Sequence, residues 1–482
     1  MSAKSDLASL VLTAAYLVTY WALAAFGRDL LYNHNVDADL ADDKIGALLP
    51  YIRVAACAFA ALTVVGTSGL NWALSRLPLS IAPFCLWTLM TVVWTDSGKD
   101  TLRGSFTLLA AWGAVPILIH RLGARRSARL LLHIIVTVCV ASFLVAVLLP
   151  SVGRHSFEDL VQSGHDGRWR GIFSHKNGLG PWAAYGTVLP LLYGGIGMPW
   201  LVRIVGSGCA FGCLIYCGSA TALVLATLCV ALSFAFRALR RGPVDVAVFA
   251  VAAMLLGGAL TAELVSGGIL AAIGRSADLS GRGAIWSFAW DYVVDHPWFG
   301  YGYATLGGAD LRSREASLFA QAIPGPESGY LALLLETGIV GCVLFLAAYL
   351  TCLIKGVSWL KRATPTDRRS VELYLIILVS TLAEAVSESN AFVVTGYDGL
   401  IFFAALFALS TAPWPSASGR RVFGHPVEKR PPSQGAGLAF RLGTPLMTKG
   451  LDGGLLNAAH WEAKGSPPAR PSAPASSPRR RA

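Results

Sequence analysis

Between Gly167 and Gly180 the chain reads GRWRGIFSHKNGLG, with Arg168, Arg170, His175, Lys176 and Asn177 packed into ten consecutive residues. Guanidinium groups grip phosphate oxygens through paired hydrogen bonds and stay charged at every physiological pH. Histidine and carboxylate groups can move a proton during group transfer. Further chemical candidates are spread along the chain: Arg53, Arg103, Arg282, Glu327, and the pair Glu384 and Glu388. Residues of these types suit a site that holds an anionic, phosphate-bearing molecule and shifts a proton. No His/Asp/Glu cluster has metal-ligand spacing, so no metal or other cofactor is expected, and arginine would stand where a divalent ion otherwise stands.

The elements that must position these residues lie in a membrane. The chain has 482 residues, 54% of them hydrophobic and only 14% charged, whereas a soluble domain carries roughly 25% charged residues. A net charge of +11 raises nucleic acid as a partner, but the basic residues sit in short loops between apolar runs and in the tail, which is a topology signal. Nucleic acid is therefore not expected as a partner. The nine cysteines lie within or at the ends of apolar segments. Cys209, Cys213 and Cys217 share a helix face without any histidine or carboxylate, which reads as packing.

Apolar segments of spanning length fall near 7–26, 46–66, 77–94, 101–119, 129–149, 178–197, 199–217, 219–236, 244–265, 329–354, 371–391 and 397–414, each close to the length a bilayer requires. The first is read as a retained helix. The loops HRLGARRSAR, RALRRGP and KGVSWLKRATPTDRR are every second loop and are rich in Lys and Arg. By the positive-inside rule they face the cytoplasm, and so do both termini. One loop breaks the rule, since residues 150–177 carry Arg154, Arg168, Arg170 and Lys176 on the outer side. Either these charges serve an anionic ligand or they are ordinary solvated surface charges. The larger outer segment, 266–328, contains an amphipathic helix over Ala284–Val294 and a rigid Pro-Gly-aromatic turn after it. Residues 415–482, rich in Pro, Gly, Ser, Ala and Arg, read as a disordered cytoplasmic tail after a transmembrane catalytic domain at 1–414.

Placed by depth, Arg103, Arg170, Lys176, Arg282, Glu327 and Glu384 gather at the outer leaflet. Charge in or beside a span is costly and usually faces a cavity, although Arg53 and Arg103 could also snorkel to the interface. Several arginines beside hydrocarbon fit a lipid-linked pyrophosphate. If the pyrophosphate departs during reaction, each well-placed donor stabilises the developing charge by about 3–4 kcal/mol.

Three blocks, RGIFSHKNGLG, SGRGAIW…HPWFGYGY and ESGYLALLLETGIVG, resemble motifs of the O-antigen ligase and polysaccharide polymerase superfamily, in its order and over about residues 80–400. The resemblance implies an all-α integral membrane fold of about twelve transmembrane helices, similar to the integral-membrane C-type glycosyltransferases, with one large periplasmic loop containing an amphipathic helix. It also implies glycosyl transfer at the periplasmic face of the bacterial inner membrane from an undecaprenyl-pyrophosphate-linked oligosaccharide, without metal or nucleotide. Membrane lipids, and chain-length regulator or export proteins, would be further partners. Ligases usually carry Ser-x-Ser-Arg at one helix start. Here CGSATALV places Ala220 at the arginine position, which is more similar to the exopolysaccharide polymerase branch. The histidine that usually precedes SGYL is Glu327.

On this basis Arg282, at the family's Gly-Arg position, is expected to hold pyrophosphate. Glu327 is expected to act as the base, with His175 its rival. Arg170, Lys176, Asn177, Arg103 and Glu384 are expected to bind substrate. Each has a plainer reading: surface charge for Arg282, helix capping for Asn177 and Glu327. Trp286 and Trp290 suit an interfacial position, and Glu336 and Gly338 suit packing. Polymerase is the leading function and ligase the close alternative. A flippase for the same lipid-linked glycan would need access from both faces, which a cluster at one side does not supply.

Overall fold

The structure, a computed structural model, describes residues 2–24, 44–156, 166–239, 282–305, 326–393 and 397–411. The predicted span 244–265, most of the large outer segment and the tail at 415–482 lie outside the described residues. Within them the secondary structure is helical, with a single bridge between Arg154 and Trp169.

The helices are α1 (Ser2–Ala24), α2 (Lys44–Ser68), the short α3 (Leu70–Leu74), α4 (Ala82–Met90), α5 (Gly98–Leu122), α6 (Ala124–Leu148), the one-turn α7 (Pro150–Gly153), α8 (Lys176–Tyr193), α9 (Trp200–Cys217), α10 (Ala220–Leu239), α11 (Arg282–Asp295), α12 (Gly329–Leu360), α13 (Pro365–Glu384) and α14 (Tyr397–Ser410). Among the described residues, six segments are long and apolar enough to cross a bilayer: Pro50–Ser68, Gly98–Leu122, Ala124–Leu148, Trp200–Cys217, Ala220–Arg237 and Gly329–Leu360. The shorter apolar helices Leu7–Leu23, Ala82–Val93 and Gly399–Ser410 occupy three further predicted spans, and α8 and α13 occupy two more.

Packing explains why α8, α13 and α14 fall short of that standard of length or apolarity. α8 packs against α9, α10 and α6, and α13 against α14, α10, α12 and α6. Every residue from Gly399 to Thr411 is buried. A helix surrounded by other helices can be short or carry polar groups, because its backbone bonds are internal and its side chains meet protein. Peripheral helices do the opposite. Leu62 on α2 and Trp200, Leu201, Phe211 and Tyr216 on α9 are all exposed. So much open apolar surface suits lipid and would be a liability in water.

The predicted amphipathic helix is present as α11. Ile285, Ala289 and Val293 are buried while Trp290 and Val294 are exposed. Ala289 and Val293 cluster with Leu335, and Leu331 and Leu334 pack around them, so α11 lies along the first turns of α12. The HPWFGYGY segment that follows docks into a break in α12. At Gly338 the backbone leaves helical geometry, with φ 64 and ψ −174. The Ile339 and Val340 amides donate to the Pro297 and Trp298 carbonyls at 2.8 and 3.2 Å. The Tyr301 and Gly302 amides donate to the Leu335 and Glu336 carbonyls at 2.8 and 3.0 Å. Trp87 and Trp94 close the junction with indole bonds to the Thr337 and Gly300 carbonyls at 3.0 and 3.1 Å. A Cβ at Gly338 would run into the Trp298 backbone, so this position needs glycine for both conformation and space.

Candidate functional site

The loop that breaks the positive-inside pattern is a folded unit where it is described. The His155 amide donates to the Arg168 carbonyl, and the Gly167 amide to the His155 carbonyl, both at 2.9 Å. The Arg170 and Gly171 amides converge on the Gly153 carbonyl at 2.9 and 3.0 Å. Gly171 makes the turn with φ 62, and a Cβ there would strike Ser142. Trp169 stacks on Tyr216 with ring centroids 4.6 Å apart.

The arginines of this loop bind backbone. Arg154 Nε donates to the Ala146 carbonyl at 2.9 Å, Arg168 Nη1 to Gly218 at 3.2 Å, and Arg170 Nε to Val152 at 2.9 Å. Arg170 is buried. Sequence reasoning offered a ligand or solvated charge for these residues. It missed this third role, which is to satisfy the carbonyls that end α6, α7 and α9. A helix terminus leaves such carbonyls open, but which guanidinium reaches which carbonyl has no local sequence signal.

His175 is the N-cap of α8. Its Nδ1 accepts from the Asn177 amide at 3.2 Å. The cap is therefore His175 and not Asn177, a correction to the sequence reading. The bond assigns the neutral ring with its proton on Nε2. His155, which sequence reasoning passed over, is buried beside it. The two rings meet edge-to-face with centroids 5.3 Å apart, and His155 Nε2 accepts from the Lys176 amide at 3.2 Å. Lys176 is itself buried at the start of α8.

Around this turn the starts of α8, α10 and α12 meet the end of α13. Gly180 on α8 lies against Ser219 and Ala222, where a Cβ would come within 3.3 and 3.0 Å of their side chains. Thr221 Oγ1 and Ser387 Oγ share a hydrogen bond of 2.9 Å. The Ala385 carbonyl, at the end of α13, accepts from the Gly329 amide at 2.7 Å and from Ser328 Oγ at 3.5 Å. Thus Arg170, His175, Lys176 and Asn177 share one end of the bundle with Glu327 and Glu384.

Glu384 is almost wholly buried, at 1% exposure. One oxygen accepts from the Tyr185 hydroxyl at 3.4 Å. Tyr185 also bonds Ser380 and Thr381 at 3.1 and 3.0 Å. The second oxygen, Oε1, is buried with no hydrogen-bond partner among the described residues. Buried polar atoms are rarely left open, and an open one marks a ligand, a water or a catalytic task. Tyr185, inside an apolar span, gave no sequence signal. The sequence also placed Glu384 and Glu388 on one helix face, but α13 ends at Glu384, and Glu388 lies beyond the turn that follows.

Glu327 is half-buried immediately before α12 and has φ 44. A non-glycine residue in this region stores about 1–3 kcal/mol, and such strain concentrates at functional positions. Arg282 is the first residue of α11. Trp286, one turn on, holds a buried indole N–H with no acceptor among the described residues. Arg103 stands apart. It pairs with Asp100 at 3.8 Å at the open start of α5, and none of its described contacts reaches the cluster.

The helices and the polar cluster together define a multi-pass helical membrane protein with a candidate site at one end of its bundle. Residues 205–346 match the family model described as O-Antigen ligase. An O-antigen ligase of Pseudomonas aeruginosa is 32% identical over 140 residues, 29% of this chain and 31% of that protein. The chain thus spans under a third of the length of the relative it matches. Both findings are likenesses of one part of this chain to O-antigen ligases. The family match includes Arg282 and Glu327. Arg103, Arg170, His175, Lys176, Asn177 and Glu384 lie outside it.

Proposed function

We propose that this protein is a glycosyltransferase of the cell envelope that polymerises glycan repeat units carried on undecaprenyl pyrophosphate. The observation that carries the reading is that Glu327 and Glu384 share one bundle end with the His175–Lys176–Asn177 turn. In the proposed step the bond between the anomeric carbon and the pyrophosphate oxygen breaks, and an acceptor hydroxyl oxygen bonds that carbon. The acceptor proton passes to Glu327, and the leaving pyrophosphate keeps the electron pair. Glu327 is favoured over His175 as the base because His175 Nδ1 is already engaged as the helix cap. Nε2–H of His175 and the amide side chain of Asn177 are suited to orient hydroxyl or phosphate oxygens. Arg282 and Lys176 stabilise the departing charge, and Glu384 Oε1 accepts from a sugar hydroxyl. Arg170 holds the loop, and its fixed positive charge adds to the same field. The reading places the site at the periplasmic face of the inner membrane, with both termini in the cytoplasm, and needs no metal.

A second reading, a ligase that transfers finished glycan to a lipid A core or a protein, draws support from the description of the Pseudomonas aeruginosa relative. Ala220, where ligases usually carry arginine, supports the polymerase. The test is purified protein in detergent with a synthetic polyprenyl-pyrophosphate oligosaccharide and a chelator. A ladder of longer glycans is the expected result. Transfer only to added lipid core establishes the ligase, and unchanged glycan that crosses between leaflets of a vesicle establishes a flippase. Loss of the ladder on chelation, restored by magnesium, overturns the metal-free step.

A further inference from the structure

The opposite end of the bundle holds a second basic group, which the function above does not use. The chain between α8 and α9 is the turn Gly194–Ile196 followed by Gly197. Four arginines from three separate helices converge on it. Arg125 Nε donates to the Ile196 carbonyl at 2.9 Å. Arg203, in the first turn of α9, donates to the Pro190 and Leu191 carbonyls at 3.0 and 2.6 Å. A Cβ placed on Gly195 would lie 2.9 Å from Arg369 Nη1, and one placed on Gly197 would lie 2.9 Å from Arg129 Nη1. These two guanidinium groups therefore rest against bare backbone.

None of the four arginines has a carboxylate partner among the described residues. The acidic groups closest in sequence to Arg369 are engaged elsewhere: Asp367 with Thr364 at 2.9 Å and Glu372 with Arg368 at 3.5 Å. Arg129 and Arg369 make no side-chain hydrogen bond among the described residues. Positive-inside topology explains basic residues in a loop near α6 or α13. It does not explain why α6, α9 and α13 aim them at one turn, where they repel one another and most donors stay open.

The surroundings indicate the counter-charge. Arg125, Arg369, Gly195 and Gly197 are exposed, so the group opens outward. Leu191, Trp200 and Leu201 beside it are also exposed, Trp200 by 69%. An apolar surface with a tryptophan at its edge is what acyl chains and the headgroup boundary meet.

We infer that Arg125, Arg129, Arg203 and Arg369, gathered on the glycine turn between α8 and α9, form a binding site for the phosphate headgroup of an anionic phospholipid. The guanidinium forks take the phosphate oxygens, the glycines leave the approach clear, and the chains lie over Leu191, Trp200 and Leu201. Free phosphate offers the same oxygens without the chains.

The full-length protein in nanodiscs tests this, with phosphatidylglycerol as the probe in a phosphatidylcholine background and native mass spectrometry or lipid extraction as the readout. The variants are R129Q and R369Q, singly and combined, with R362Q as a charge-matched control in the loop before α13. Each change in the cluster is expected to weaken phosphatidylglycerol retention about fivefold, and the pair about 25-fold, with the control unchanged. Ten millimolar inorganic phosphate is not expected to displace the lipid. Equal retention by wild type and the double variant overturns the site. Displacement by free phosphate overturns the lipid as occupant and assigns a soluble phosphate. A loss matched by R362Q overturns the local reading in favour of diffuse charge. Thermal melting in pure phosphatidylcholine, expected to be unaltered, separates lost binding from misfolding. The readout is lipid retained, so it stands whatever reaction the other end performs.

Discussion

The two ends of the bundle both concentrate basic side chains, but they hold them differently. At the α8 start, Arg154, Arg168 and Arg170 are threaded into the backbone by bonds to Ala146, Gly218 and Val152. Lys176 is buried beside two histidines there, at the end of the bundle that also carries Glu327 and Glu384. At the α8 end, half-buried Arg129 and exposed Arg369 rest against glycine, with no carboxylate partner among the described residues. The first arrangement is rigid and mixed in charge, which suits chemistry that needs fixed donors and a base. The second is adaptable and of one sign, which suits a surface that meets a headgroup. Basic composition is common to both, so only burial and partners separate them.

The two ends are expected to differ most in activity. R282A and E327Q are each expected to lower glycan elongation at least about 100-fold, the scale of losing one charge-stabilising or proton-accepting group, with expression intact. R129Q/R369Q is expected to keep elongation in detergent within about twofold. A normal ladder from R282A, or a dead R129Q/R369Q, would reverse the assignment of the two ends.

Next in size are effects on stability. G338A puts a Cβ into the Trp298 backbone at a positive φ, and is expected to lose about 2–5 kcal/mol from strain and overpacking combined. Thermal unfolding in detergent reads this, and an unshifted melt would show that the 297–302 segment does not depend on the break in α12. Y185F leaves Glu384, Ser380 and Thr381 short of a shared hydroxyl, with an expected loss of about 1–3 kcal/mol. If activity instead falls with the melt unchanged, Tyr185 serves the reaction and not the fold.

The smallest expected effect is at the cap of α8. H175A removes the cap of α8 and is expected to lower stability by about 1 kcal/mol, with elongation reduced less than in E327Q. A collapse of turnover equal to that of E327Q would make His175 the base.

Much of the organisation was legible in the chain itself. Helix is found in each predicted span that falls within the described residues, and the amphipathic segment around Ala284–Val294 is a helix. These are consequences of local composition, since a bilayer or a buried face demands apolar residues at a set length and period. The membrane-crossing count was less legible. Helices buried among other helices, such as α13 and α14, need not carry a full lipid-facing run.

The sequence alone showed which residue types could act, because Arg170, His175, Lys176, Glu327 and Glu384 are conspicuous beside apolar runs. It could not assign their partners. Whether an arginine ties down a carbonyl, as Arg170 does with Val152, or lies open, as Arg369 does, depends on where remote helices bring their ends. His155 and Tyr185 joined the site, and Arg203 joined Arg369, only through contacts made across long stretches of chain. A hydrogen bond or a repelled charge is a relation between atoms in space, and tertiary structure alone sets those distances.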